Sequence, residues 1–199
     1  MLTKDELLLP LALHRTREVV VTCMSATRPW GRLSSHDLDF ASADSAMGHT
    51  ADLALGIALA QPSRKVLCLN GDGSMLMTLG TLATAVGSGA TNLILFVLEN
   101  GTYEITGNQP VPGAGHVDFA GLARAAGFPR VYSFRRREDY EAALPGILEG
   151  EGPVFVGVAM EPGLEGPIGR SEKEEARYLK TSLAEWSREF RRAITSVSV

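Results

Sequence analysis

Three runs of consecutive apolar residues constrain the fold most strongly. Val19–Cys23, Val66–Leu69 and Leu93–Leu98 are continuous rather than alternating, as expected of strands that are covered on both faces. Helical patterns occur between them, over about Met47–Ala60 and Ser74–Val86. Strands that alternate with helices pair in parallel and carry helices on both faces. The sequence therefore predicts an α/β fold, a single three-layer domain with a mostly parallel sheet.

The rest of the chain continues this alternation. Thr3-x-x-Glu6 matches a capping box and predicts a helix over roughly 4–17, which Pro10 should kink or delay. The remaining predicted elements are a helix over 118–126, a strand near 131–132, a helix over about 138–148 and a strand over 154–159. No linker or internal repeat divides the chain, so residues 1–199 are predicted to form one domain.

A second capping-box pattern, Ser171-x-x-Glu174, predicts a C-terminal helix over about 171–194. An apolar stripe recurs along it every three or four residues: Leu179, Leu183, Trp186, Phe190 and Ile194. Two interpretations are open for this stripe. It packs on its own domain, which we favour, or it docks a second subunit.

Composition excludes several classes of protein. The net charge of −4 argues against a nucleic-acid surface, which is normally basic. No signal-peptide pattern opens the chain, and no apolar run approaches the roughly 20 residues that span a bilayer. Cys23 and Cys68 lie in apolar strands and do not form a disulfide framework. We therefore expect a cytoplasmic protein with neither nucleic acid nor membrane as a partner.

Polar and glycine residues follow two of the predicted strands. Gly71-Asp72-Gly73 leads into a helix near Ser74, and Glu99-Asn100-Gly101 follows the next strand. In a parallel sheet both segments lie at the carboxyl edge, where ligands bind. The oxygens of Asp72 and Asn100 suit Mg²⁺, and glycine N–H groups at a helix start suit phosphate. The pattern therefore indicates a magnesium–diphosphate site, although Gly-Asp-Gly alone is also common in plain turns.

Other phosphate-binding patterns do not fit this segment. A Walker loop would need Gly-x4-Gly-Lys-Ser/Thr, which is absent from the sequence. A dinucleotide fingerprint would need a third glycine where Leu76 stands.

Gly71-Asp72-Gly73, followed after 26 residues by Asn100, resembles the signature of thiamine-diphosphate enzymes. The resemblance implies that the chain binds thiamine diphosphate and Mg²⁺. It assigns Asp72, Asn100 and the backbone carbonyl of Thr102 to the metal. The cofactor-binding residues that it implies in these two segments are Gly71, Asp72, Gly73, Ser74, Asn100, Thr102 and Tyr103.

A second stretch, Ser45-Ala46-Met47-Gly48, resembles the same family. There a bulky apolar residue props the cofactor into a bent shape, a role that falls to Met47 here. Ser45, Met47 and Gly48 are the implied contacts of the cofactor's pyrimidine ring. The alternative for Met47 is a core methionine ahead of a helix.

A closer resemblance covers most of the chain, to the branch that contains sulfopyruvate and phosphonopyruvate decarboxylases. The segments that carry it are 54–60, 62–66, 71–74, 79–84 and Asn100-Gly101-x-Tyr103-Glu104-x-Thr106-Gly107-x-Gln109-Pro110. Members of this branch decarboxylate small 2-oxo acids that carry a second acidic group. Two polar residues are candidates for catalysis: Glu104 as a proton relay, with a solvent-facing loop carboxylate as the alternative, and His49 if it faces the cofactor.

In this family a glutamate on a separate pyrimidine-binding domain activates the cofactor. One predicted domain uses all 199 residues, so the resemblance implies a partner subunit that supplies the glutamate. A hetero-oligomer is expected, and a homodimer of this chain alone stays open. Alternative functions are a carboligase or oxidoreductase subunit similar to acetolactate synthase, and a non-catalytic regulatory subunit. The presence of both Asp72 and Asn100 argues against the last.

Overall fold

The computed structural model describes residues 1–42 and 47–196. The helices in these ranges are α1 Lys4–His14, α2 Met24–Leu33, α3 Thr50–Ala60, α4 Asp72–Met77, α5 Gly80–Gly87, α6 Phe119–Ala126, α7 Arg137–Glu149 and α8 Leu183–Thr195. The strands are β1 Val19–Thr22, β2 Asp39–Ala41, β3 Val66–Gly71, β4 Leu93–Glu99, β5 Thr102–Tyr103, β6 Gln109–Pro110, β7 Arg130–Phe134 and β8 Val154–Ala159.

Six of the strands form one parallel sheet in the order β2-β1-β3-β4-β8-β7. The short β5 and β6 pair antiparallel beyond the end of β4. One face of the sheet packs on α1, α2 and α7, and the other on α3, α4, α5 and α6. The central strands β3 and β4 are buried along almost their whole length, as their continuous apolar sequence predicts. The predicted mostly parallel α/β fold is confirmed.

The order of the strands creates a crevice. From β1 the chain adds β2 on one side and then crosses to β3 on the other side. Connections that leave neighbouring strands in opposite directions separate at the carboxyl edge, and this separation leaves room for a ligand. The segments after β1 and β3 therefore border the crevice.

Several element boundaries differ from the sequence prediction. The capping box of Thr3 and Glu6 is present, and α1 runs through Pro10 rather than beginning after it. Cys23, predicted as a strand residue, is the N-cap of α2, a helix that the sequence analysis did not predict, and β2 was also missed. The helix predicted over 74–86 is two helices, because Thr78 leaves helical geometry and its hydroxyl donates to the Gly48 carbonyl over 2.6 Å.

The predicted start of the C-terminal helix at residue 171 is wrong. The helix α8 begins at Leu183, and its capping box is formed by Ser182 and Glu185. The side chain of Glu174 is instead held by Arg28, with Nη2–Oε1 and Nε–Oε2 distances of 2.6 and 2.8 Å.

The apolar stripe of α8 packs on its own chain, as favoured above. Trp186 and Phe190 are buried, and the Trp186 indole N–H donates to the Asp39 carbonyl of β2 over 2.9 Å. The ring of Phe190 meets that of Phe40 edge to face, 5.0 Å between centroids. Among the described residues, no helix is long and apolar enough to cross a membrane.

Candidate functional site

An open cleft lies at the carboxyl edge of the sheet. The segments that follow β1, β2, β3 and β4 converge on it. Its lining residues are Cys23, Met24, Ser25, Ser42, Met47, Gly48, Thr50, Gly71, Asp72, Gly73, Ser74, Met77, Asn100, Thr102, Tyr103, Glu104, Ile105 and Thr106. A cleft at this edge is where open α/β folds bind small ligands.

Asp72 connects the start of α4 to the turn that follows β4. Its Oδ1 accepts a hydrogen bond from the Gly73 N–H and its Oδ2 one from the Gly101 N–H, both over 2.7 Å. Burial raises the pKa of this carboxyl group, although the two backbone donors oppose the shift. A cation beside Asp72 would offset the cost of burying its charge. Residues 1–42 and 47–196 contain no cluster of three His, Cys, Asp or Glu, so a metal here would also depend on amide or carbonyl oxygens.

Asn100 supplies such an oxygen. Its Oδ1 accepts from the Thr102 N–H over 3.0 Å, and its Nδ2 donates to Glu104 Oε2 over 3.2 Å. Gly101, between Asn100 and Thr102, has a φ of +73°, a left-handed conformation that glycine adopts without strain. Since Asp72 bonds to the Gly101 N–H, one tight turn gathers all three predicted metal ligands: Asp72, Asn100 and Thr102.

Gly73 lies directly under an aromatic ring. A Cβ atom on this residue would stand 2.5 Å from Cε1 of Tyr103 and 3.0 Å from Val111, so no larger residue fits without displacing the ring. Next to it, the buried hydroxyl of Ser74 has no hydrogen-bond partner among the described residues. Buried polar atoms normally have a partner, and a phosphate oxygen in the cleft would provide one. The residues present therefore fit a diphosphate group.

Two of the residues predicted to contact the pyrimidine ring, Met47 and Gly48, line the same cleft. Met47 lines it and is 64% exposed, so it is not a core methionine. Gly48 also lines it, with a φ of +88°. Ser45 lies outside the described residues.

The two predicted catalytic residues differ in their placement. His49 is not among the described residues that line the cleft; its Nδ1 contacts Asp52 Oδ2, and its ring is about half exposed. Glu104 does line the cleft, but its side chain is buried and paired with Lys4. The alternative of a solvent-facing loop carboxylate is therefore wrong for Glu104.

Sequence reasoning missed the contributions of β1 and β2. Cys23, Met24 and Ser25 follow β1, and Ser42 follows β2. The apolar run at Val19 does predict a strand, but not that it lies next to β3. The placement of these residues depends on strand order, which no local pattern states.

Glu99, the last residue of β4, is a further acidic group at this edge. Burial, and then repulsion from Asp72 and Asp118, raises the pKa of its carboxyl to about 7, although Arg135 opposes the shift. Between pH values near 4.5 and 7 the folded chain therefore holds this proton more tightly than the unfolded chain. As a result, stability falls as pH rises through that window.

Replacing Glu99 with glutamine should remove this dependence. Without divalent cations, we expect Glu99→Gln to increase the free energy of unfolding by roughly 1–2 kcal/mol at about pH 8, a value reduced for partial exposure. The gain should vanish at pH values below about 4.5. Urea unfolding across this pH range tests the expectation, and equal stability of both proteins at high pH would contradict it.

Comparison with known proteins identifies the family. Residues 23–158 match the family described as "Thiamine pyrophosphate enzyme, C-terminal TPP binding domain". The chain is 35% identical over 184 residues to the phosphonopyruvate decarboxylase of Streptomyces viridochromogenes, covering 92% of this chain and 44% of that protein. It is 40% identical over 137 residues to the sulfopyruvate decarboxylase subunit beta of Methanothermobacter thermautotrophicus, covering 67% of this chain and 70% of that subunit.

A solved structure shares the fold. The thiamine diphosphate-dependent 4-hydroxybenzoylformate decarboxylase of Rhodococcus jostii RHA1 matches with a TM-score of 0.67 at 22% identity, over 82% of this chain and 33% of that one. The chain thus spans less than half the length of this enzyme and of the phosphonopyruvate decarboxylases that it matches. The family match covers more than half of the chain, including the segments after β1, β2, β3 and β4 that line the cleft. On this ground the chain belongs to the thiamine pyrophosphate enzymes, through their C-terminal TPP binding domain.

Proposed function

We propose that this chain binds the diphosphate and magnesium of thiamine diphosphate in a decarboxylase that acts on a small 2-oxo acid with a second acidic group. The observation that carries the proposal is the turn at Gly101. Its N–H bonds to Asp72, and its neighbours are Asn100 and Thr102. Ser74, whose buried hydroxyl has no partner among the described residues, lines the same cleft. Together they offer oxygen ligands for Mg²⁺ next to a place for phosphate.

The residues of the cleft would divide the binding of metal and cofactor between them. Asp72, Asn100 and the Thr102 carbonyl hold Mg²⁺, while Gly73 and Ser74 contact the diphosphate. Met47, which is exposed and lines the same cleft, supports the bent cofactor. When bound, thiamine diphosphate supplies the electron sink that permits carbon dioxide to leave a 2-oxo acid.

The choice of substrate class rests on the relatives. Proteins named phosphonopyruvate decarboxylase and sulfopyruvate decarboxylase match most of this chain. Their names specify 2-oxo acids that carry a phosphonate or a sulfonate. We propose the same class here, in preference to the carboligation of acetolactate synthases.

We further propose that a second chain carries the pyrimidine-binding domain and the glutamate that activates the cofactor. Several relatives bear the name subunit beta, which supports a divided enzyme. The assembly would be a hetero-oligomer with the cofactor between the chains. Both cysteines are free thiols, which is compatible with the reducing cytoplasm as its location.

Calorimetry tests the divided site. Thiamine diphosphate with Mg²⁺ is titrated into this chain alone and into the chain co-expressed with a candidate partner. We expect binding that appears, or tightens at least about tenfold, only with the partner, because the partner would supply the remaining contacts to the cofactor. Release of carbon dioxide from sulfopyruvate or phosphonopyruvate by the same complex tests the reaction. Absence of cofactor binding in both mixtures, with the protein folded, would overturn the proposal.

A further inference from the structure

The carboxylate of Glu104 accepts hydrogen bonds on both of its sides. Its Oε1 pairs with the Lys4 ammonium and accepts the Glu165 N–H over 2.9 Å. Its Oε2 accepts the Nδ2 group of Asn100 over 3.2 Å. The Glu104 side chain is fully buried, so its carboxylate has no bulk water as an alternative partner, and the Lys4 side chain is 13% exposed.

From this arrangement we propose that Glu104 is a positioning residue that fixes which end of the Asn100 amide faces the metal site. The inference rests on the magnesium site proposed above. Because Glu104 holds the NH₂ group of Asn100, the amide oxygen is directed to the other side, where it also accepts the Thr102 N–H. An amide NH₂ has no lone pair for a metal, so binding depends on this orientation.

Distant parts of the chain hold the carboxylate in place. The Leu2 N–H donates to the Ala159 carbonyl and the Glu161 N–H to the Leu2 carbonyl, both over 2.9 Å, so the chain start is fixed beside the end of β8. Lys4 follows two residues after Leu2, as the first residue of α1.

The backbone after β8 closes over the ion pair. A Cβ atom on Gly163 would lie 2.3 Å from Glu104 Oε1 and 2.7 Å from Lys4 Nζ, so only glycine allows this approach. The Lys4 and Glu165 donors thus meet Glu104 on the side away from Asn100.

Only a carboxylate satisfies these donors together. A glutamine at 104 would turn its single oxygen towards Lys4 and the Glu165 N–H, because both are donors. Its NH₂ group would then face Asn100, whose amide would rotate to present its oxygen to residue 104. The Asn100 NH₂ group would replace the oxygen at the metal site. The conservative variant Glu104→Gln should therefore weaken metal binding although it keeps the shape of the side chain.

Titration with Mn²⁺ followed by electron paramagnetic resonance measures this effect. Mn²⁺ accepts the same oxygen ligands as Mg²⁺ and its free signal is lost on binding. In the presence of thiamine diphosphate, and of the partner if binding needs it, we expect Glu104→Gln to weaken Mn²⁺ binding at least about tenfold. The double variant Asn100→Asp with Glu104→Gln should return to within about threefold of wild type. An aspartate at 100 offers one oxygen to the glutamine NH₂ and another to the metal.

A second buried ion pair provides the matched control. Asp39 pairs with Arg15 over 3.1 Å, with side chains 0% and 5% exposed, at the opposite, amino edge of the sheet. The variant Asp39→Asn removes a similarly buried charge, and we expect it to lower stability but leave the Mn²⁺ affinity unchanged.

The outcomes distinguish a failure of the proposed metal site from a failure of the proposed role of Glu104. If wild-type protein fails to bind Mn²⁺, the metal site is overturned, and the role of Glu104 with it. If wild type binds and Glu104→Gln binds within threefold of it, only the role of Glu104 is overturned. If Glu104→Gln binds Mn²⁺ weakly and the folded double variant does not regain Mn²⁺ affinity, the orientation mechanism is overturned. Circular dichroism melts establish that each variant is folded.

Discussion

Replacing Asp72 with alanine is expected to abolish the magnesium-dependent binding of thiamine diphosphate. Asp72 is the single carboxylate among the proposed ligands, and it joins the start of α4 at Gly73 to the turn at Gly101. Loss of an outer-shell partner alone typically weakens metal binding by about 10–100-fold, so the loss of a direct ligand should exceed about 100-fold. Calorimetry with Mg²⁺ and thiamine diphosphate measures the change.

Asp118 offers a matched control for this variant. It is also an acidic residue whose side chain accepts a backbone N–H, that of Gly121 over 2.8 Å, but it does not line the cleft. Asp118→Ala should cost about 1 kcal/mol of stability as a lost helix cap and leave cofactor binding intact. Asp72→Ala itself leaves two N–H groups without their acceptor, so we expect it to fold with stability lower by about 1–3 kcal/mol. Cofactor binding within tenfold of wild type would contradict the assignment of Asp72 to the metal.

Replacing Trp186 with alanine is expected to produce a large loss of stability. The indole ring is almost completely buried against the edge of the sheet, and its N–H is the partner of the Asp39 carbonyl. Truncation of a buried tryptophan to alanine costs about 3–5 kcal/mol, which for a chain of this size lowers the melting temperature by roughly 10 °C. Urea unfolding followed by circular dichroism gives the change in free energy.

The variant Trp186→Phe separates packing from hydrogen bonding. Phenylalanine retains most of the buried ring but lacks the N–H donor, so the cost should be about 1–3 kcal/mol for the carbonyl left unpaired. A change smaller than about 1 kcal/mol in Trp186→Ala would show that α8 contributes little to the fold.

The sheet and part of the site follow from local patterns. Continuous apolar runs such as Leu93–Leu98 identify buried strands, because strands covered on both faces need no polar alternation. Gly71-Asp72-Gly73 and Asn100 follow directly after two of these strands, so their meeting at one edge follows from parallel pairing alone.

Other features depend on contacts between distant residues. The helix α2 contains Pro29 and Gly31, which are poor helix formers, and a Cβ atom on Gly31 would overlap Ala176, far along the chain. Tertiary packing, rather than propensity, therefore determines this helix.

Contacts between distant residues also explain two wrong predictions, the start of the C-terminal helix and the solvent-facing alternative for Glu104. Ser171-x-x-Glu174 has a capping-box pattern, but Arg28 holds the carboxylate of Glu174 and no helix starts there. Glu104 could not be recognised as buried, because its partner Lys4 lies 100 residues away in the sequence.

The position of α8 also limits how this chain can associate with other molecules. In a parallel sheet the outer edge of β2 would present unpaired backbone groups, a template for strand addition by another chain. Here the Asp39 carbonyl on that edge is already occupied by the Trp186 indole, and Phe190 covers the neighbouring Phe40. A strand from another molecule that paired with β2 at Asp39 would therefore first have to displace α8.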